Sequence, residues 1–142
     1  MLETDVLFAH LKEKDWLKDA AERILAAIDK GGLGSVLVSR ECLHELYYLV
    51  RRLEWSPSDL LTRVGALTRI RNLTWLPTDT DTDLLALSLI STYKLSSIFD
   101  AYHAAACLLR DPQHEIMSTD PVYERIPQIK RIDPRSLAKQ LG

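Results

Sequence analysis

Four carboxylates stand where a short apolar segment ends or a helix begins, and a fifth lies within a helix. Glu3 and Asp5 lie in LETDVLF, Glu45 in VSRECLHEL, Asp100 near the head of FDAYHAAACLL and Asp120 in IMSTDP. Carboxylates gathered in one place repel one another unless a cation binds there or some of them stay protonated. Oxygen donors, with no thiolate and no histidine required, suit a hard octahedral ion, Mg2+ or Mn2+. Such ions activate a water and neutralise a phosphoryl group during in-line displacement, so these residue types point to phosphodiester hydrolysis. Other chemistries lack their parts. No serine or cysteine stands in a recognisable nucleophile context, and there is no phosphate loop. Gly31, Gly32 and Gly34 lie between a helix and a strand, the reverse of the dinucleotide-binding order.

Five acids from distant parts of a chain meet only if the fold brings them together. LETDVLF opens as a short strand and turns helical near Val6. Asp15 caps a helix over 16–30, where Leu17, Ala20, Ala21, Ile24, Leu25 and Ile28 keep helical spacing until Gly31-Gly32 stop it. SVLVS (35–39) is a β-branched strand, followed by a helix over 40–53 with Leu43, Leu46, Tyr47 and Val50 on one face. Ser56-Pro57-Ser58-Asp59 starts a helix that runs to about 70. NLTWLP (72–77) is a strand, and Thr80 or Thr82 caps a helix to Tyr93. A helix over 98–110 leads to the strand EIMST (115–119), then KRI (130–132) and a short last helix after Asp133-Pro134. Strands alternating with helices, without tight hairpins, imply parallel pairing. The expected fold is a three-layer α/β/α sandwich with a mostly parallel four- to five-stranded sheet, as one domain over 1–142.

Ligands bind outside the carboxyl ends of the strands in an open parallel sheet. Glu3 and Asp5 leave the first strand at that end, Glu45 follows the second strand by about a turn and a half of helix, and Asp120 ends the fourth. Asp100 opens the helix that feeds that fourth strand, so its end returns over the same edge. Taken singly, Asp100 favours a helix N-terminus and Asp120 caps a turn. Glu45, mid-helix beside Leu46, caps nothing, and the five are best explained together as one site. Glu41-x-x-His44 and Asp100-x-x-His103 have the spacing of di-iron bundles, but the strand-like runs do not fit a bundle. His103, one turn from Asp100, is read as a substrate contact or as ordinary packing. Cys42 and Cys107, without CxxC spacing, read as reduced core thiols.

Bulk properties are those of one soluble, cytoplasmic domain: 142 residues, 46% apolar and 27% charged, with no apolar run near the ~20 residues of a membrane span. The acidic start is unlike a signal peptide. The net charge of −2 is unevenly spread: residues 51–71 carry +3, residues 125–139 carry +4, and the rest is strongly acidic. Two basic segments beside an acidic site suit a polyanionic substrate.

In order and spacing, LETDVLF, VSRECLHEL, FDAYHAAACLL and IMSTDPVYERI resemble a PIN domain, the fold of VapC-type toxins and several RNA-processing nucleases. The resemblance implies a metal-dependent ribonuclease, usually dimeric, using Mg2+ or Mn2+. It places Glu45 at the family's helix carboxylate, Asp100 at the acid opening DAYHAA and Asp120 at the acid after the fourth strand, with Ser118 as the hydroxyl two residues before. Where the family's first motif reads Asp-Thr-Asn/Ser/Asp, this chain has Glu3-Thr4-Asp5. Glu3 thus takes the principal aspartate's place with one methylene more, which shifts the metal or hands the role to Asp5. Thr4, Ser118 and His103 are expected on the substrate side. RNA is the expected partner, with a homodimer formed through ELYYLVRRLEW (Tyr48, Leu49, Leu53, Trp55) and, for a toxin, an antitoxin protein. The alternative, favoured by Glu3, is a weak or inactive PIN-like module that binds RNA or protein.

Overall fold

The computed structural model describes residues 1–142. Helices α1 (Thr4–Leu11), α2 (Lys18–Asp29), α3 (Glu41–Val50), α4 (Pro57–Leu67), α5 (Thr80–Tyr93), α6 (Ile98–Arg110) and α7 (Pro134–Gln140) alternate with strands β1 (Val36–Ser39), β2 (Leu73–Leu76), β3 (Glu115–Met117) and β4 (Lys130–Ile132). Strand β1 pairs with β2 in parallel, Val36 opposite Leu73, and β3 pairs with β4 in parallel, Glu115 opposite Lys130. Leu2 joins the halves through parallel bridges to Val38 and Met117. Its N–H donates to Leu37 O at 2.8 Å, and the N–H of Glu3 donates to Met117 O at 3.1 Å. The sheet therefore runs β2-β1-Leu2-β3-β4, all parallel, with a central strand one bridging residue long.

That short centre decides where the site forms. The first strand expected from LETDVLF contracts to Leu2, and α1 starts at Thr4 rather than near Val6. Glu3 is still extended (φ −99°, ψ 164°), so the chain crosses from sheet to helix within one residue, in the middle of the sheet's carboxyl edge.

The sheet is covered on both faces, as a parallel sheet must be. Residues of α1, α2, α3, α4 and α7 pack with Leu2, Val36, Val38, Leu73 and Met117 into one core cluster. Residues of α5 and α6 form a second with Ile116, Tyr123, Ile126 and Ile129. Ala101, Ala104 and Ala105 of α6 are wholly buried, and their small side chains let α6 lie close against its neighbours.

Helix starts follow the sequence with local shifts. Ser56 and Asp59 form a reciprocal capping box on α4. Asp15 accepts the N–H of Leu17, one residue before α2 begins. Asp79, not Thr80 or Thr82, caps α5, accepting both the N–H and the hydroxyl of Thr82. Ser97 caps α6 by accepting the N–H of Asp100 at 3.4 Å, so the Asp100 carboxylate is not the cap. Asp120 does cap, accepting the N–H of Val122 at the start of a 3-10 turn over Pro121–Arg125. No single helix is long and apolar enough to cross a membrane.

Candidate functional site

Three chain segments meet around Glu3 at the carboxyl edge. Glu3 is 5% exposed, and its Oε2 accepts from Ser118 Oγ at 2.9 Å, just past β3. Ser118 Oγ in turn accepts the N–H of Asp120 at 3.0 Å, so one hydroxyl fixes both acids. Arg131 on β4 donates to the carbonyl of Ser118 at 3.0 Å and steadies that loop. Asp5 ties α1 to the same loop: its Oδ2 accepts the N–H and the hydroxyl of Thr119 at 2.7 and 2.6 Å, and its Oδ1 accepts the N–H of Val6 at 2.8 Å.

The third segment reaches the site through His103, which is wholly buried on α6. Its Nε2 lies 3.0 Å from Glu45 Oε1, 3.1 Å from Thr4 Oγ1 and 3.8 Å from Glu3 Oε1. Its Nδ1 faces Cys42 Sγ at 3.8 Å. One imidazole thus links α1, α3 and α6.

Electrostatically the cluster has one cationic group of its own, His103. Burial, and after it the Asp5 carboxylate, pushes Glu3 well above the usual carboxylate range; Glu45 adds to this, while His103 and Ser118 oppose it. Asp100 is raised to about 6, first by burial, then by Asp120 and Glu45, against His103 and Tyr123. Burial alone would lower His103, but Cys42, Glu45 and Glu3 override it and hold the imidazole well above its ordinary value. No lysine or arginine pairs with Glu3, Asp5, Glu45, Asp100 or Asp120.

The donor set fits a divalent cation. Ligand atoms of Glu3, Glu45 and His103 all lie within 4.8 Å of one another. Asp100 has only the Tyr123 hydroxyl turned toward it, and Asp120 keeps one oxygen free beyond its cap. The buried hydroxyl of Tyr123 is turned toward Asp100 without closing a well-aligned hydrogen bond. It lies among Glu3, Asp100 and Glu45, whose charges, after burial, push the phenol well above its ordinary value.

The five expected acids therefore gather at one edge, with different attachments. Asp5 has both oxygens engaged by the backbone and Thr119, while Asp120 is exposed and half committed to a cap. Thr4, Ser118 and His103, expected to touch substrate, are instead buried at 1%, 0% and 0% exposure, and their contacts are with the acids and with one another. The expected basic surface is also reduced. Lys130 pairs with Glu115, Arg131 with Glu124, Arg135 with Asp133 and Arg71 with Asp29. Arg63 lies over the Trp55 ring and donates to Leu11 O. Arg51, Arg52, Arg69, Arg125 and Lys139 remain without a carboxylate partner.

Sequence reasoning missed Tyr123, Cys42 and Thr119. Cys42 lies 61 residues from His103, and no spacing rule joins them. Tyr123 carried a weak signal, three residues after Asp120 in a turn opened by Pro121. No curated protein matches the chain. A family model for the PIN domain matches residues 1–129. PIN domains are generally metal-dependent nucleases acting on RNA. The match takes in all five acids, and the chain belongs to the PIN domain family.

Proposed function

We propose that the protein is a metal-dependent endoribonuclease hydrolysing RNA phosphodiester bonds at this carboxylate cluster. The observation that carries the reading is the convergence of five acids on one sheet edge with no lysine or arginine to neutralise them. Mg2+ or Mn2+ bound there supplies an activated water and neutralises charge on the scissile phosphate. Glu3, Glu45, Asp100 and Asp120 are the donors. Glu3 takes the principal place because Asp5 is occupied in holding the loop that carries Asp120. Ser118 orients Glu3, and Thr4 and His103 orient Glu45. Half-buried Asp100 and exposed Asp120 form the side that RNA approaches.

Incubating the purified protein with mixed RNAs and Mn2+ or Mg2+ tests this. Cleavage by the parent and not by Asp100→Asn supports the nuclease. RNA binding with no cleavage by either supports the alternative, a PIN-like binding module.

The finer role is that of a VapC-type toxin or an RNA-processing enzyme. A toxin arrests growth when expressed alone and is relieved by an antitoxin encoded beside it, whereas a processing enzyme does neither. Homodimer formation is part of the same reading. Tyr47 and Tyr48 on α3 are 58% and 53% exposed. Beside Tyr47, a groove of about 650 Å³ between α3 and α4 is lined by Leu43, Val50, Trp55, Leu60 and Val64, while Tyr48 lies near the Phe99 ring. Light scattering at micromolar concentration is expected to give twice the chain mass, and Tyr48→Glu the mass of one chain. A parent of single-chain mass contradicts pairing.

A further inference from the structure

Three oxygens from three different side chains face one ring nitrogen of His103. Nε2 has Glu45 Oε1 at 3.0 Å, Thr4 Oγ1 at 3.1 Å and Glu3 Oε1 at 3.8 Å. A ring nitrogen carries one proton or one lone pair. The Thr4 hydroxyl can turn to suit either, whereas a carboxylate accepts when ionised and donates only when it holds a proton. Without a cation, a proton held among Glu3, Glu45 and the imidazole keeps the three groups together. A cation between the three groups would take the place of that proton and release it.

We propose that His103 Nε2 is itself a ligand of the ion held by Glu3 and Glu45, so that this site takes Mn2+ in preference to Mg2+. The proposal rests on the metal reading of the site and goes further, to a nitrogen donor and the selectivity it brings. Two ligands of one ion with bonds of ~2.1 Å lie between ~3.0 Å apart (adjacent) and ~4.2 Å apart (opposite). The separations from Nε2, 3.0 Å to Glu45 and 3.8 Å to Glu3, fall in that span.

The other side of the ring supports the assignment. A metal-bound histidine usually has its second nitrogen held by a fixed partner, which sets the tautomer and ring orientation. Here Nδ1 faces the Sγ of fully buried Cys42 at 3.8 Å, within reach of a weak N–H···S contact. Mg2+ selects oxygen, whereas imidazole suits first-row transition ions, with affinity rising from Mn2+ along the series.

The test is pulsed electron paramagnetic resonance on the full-length protein with less than one equivalent of Mn2+. The expected result is echo modulation from a directly bound 14N, replaced by the 15N pattern when the protein is grown with 15N-histidine. This version needs no substitution and so cannot fail through misfolding. His103→Gln should abolish the nitrogen signal and weaken Mn2+ binding by at least the 10–100-fold that loss of an outer-shell partner costs, while changing Mg2+ affinity far less. Mn2+ that binds without histidine modulation overturns the proposal and leaves His103 as a positioning residue for Glu45. Mn2+ that does not bind at all overturns the metal reading as well, so the two failures are distinguishable.

Discussion

Asp100 and Asp133 both lie at the carboxyl edge of the sheet, each in the opening of a helix, and their surroundings treat them in opposite ways. Asp133 caps α7, accepts the N–H of Arg135 at 2.8 Å and pairs with that residue's guanidinium at 2.5 Å. The Arg135 side chain, first among its partners, holds Asp133 at about 2. Asp100 is relieved of capping by Ser97, has no cationic partner but His103, and is pushed up to about 6. The contrast extends through the molecule. Asp29 is held low, chiefly by the Arg71 side chain, and Asp79 chiefly by the Thr82 N–H and hydroxyl. Acids that serve the fold have their donors and counter-charges beside them. Acids left crowded without counter-charge mark a place where the fold has been set for something it does not itself supply.

The largest expected effect is on catalysis. Removing a carboxylate that holds the ion forfeits several kcal/mol of transition-state stabilisation, a hundredfold or more in rate. Asp100→Asn is therefore expected to lose RNA cleavage, while Asp133→Asn keeps it. Equal losses in gel-based cleavage assays would erase the distinction between the two acids.

Stability should move the other way. Asp133→Ala is expected to cost about 1 kcal/mol as a lost cap, read as a lower denaturation midpoint. Asp100→Asn in EDTA should be neutral or stabilising, because it removes a charge repelled by Asp120 and Glu45. A destabilised Asp100→Asn would return Asp100 to the structural class.

The smallest effect is in the pH dependence of the metal-free protein. Asp100 binds its proton more tightly folded than unfolded, so its contribution is favourable below its ordinary value near 3.8 and is lost as pH rises through about 6. Asp133 has the opposite sign: its contribution is present above 3.8 and lost as pH falls toward about 2. Denaturation at several pH values in EDTA should show Asp100→Asn flattening the loss above pH 4, and Asp133→Asn flattening the loss below it.

Much of this contrast was legible before the structure. The alternation of apolar periods placed every helix and four strands within a few residues, and the carboxyl-edge rule sent the acids to one place. Leu2 was not legible as the central strand, since a single bridging residue has no period. The choice of Asp79 over Thr80 or Thr82 as a cap was equally hidden, because all three types cap and the backbone angle decides. The basic segments misled for a related reason. Composition counts charges but cannot see that Arg131 closes on Glu124 or Lys130 on Glu115. Cys42, His103 and Tyr123 meet only through tertiary packing, so a search for acids alone passed them over.

The central claim, that these carboxylates share a metal, is tested most directly by thermal melting of the parent and Asp100→Asn, each in EDTA and in Mn2+. At a hundred times its dissociation constant, Mn2+ should add about 2.7 kcal/mol to the parent. For 142 residues that raises Tm by roughly 9 °C. Asp100→Asn should melt at or above the parent in EDTA and gain little from Mn2+. A parent whose melting ignores Mn2+, with a mutant less stable than it in EDTA, would contradict the account and make these acids ordinary parts of the fold.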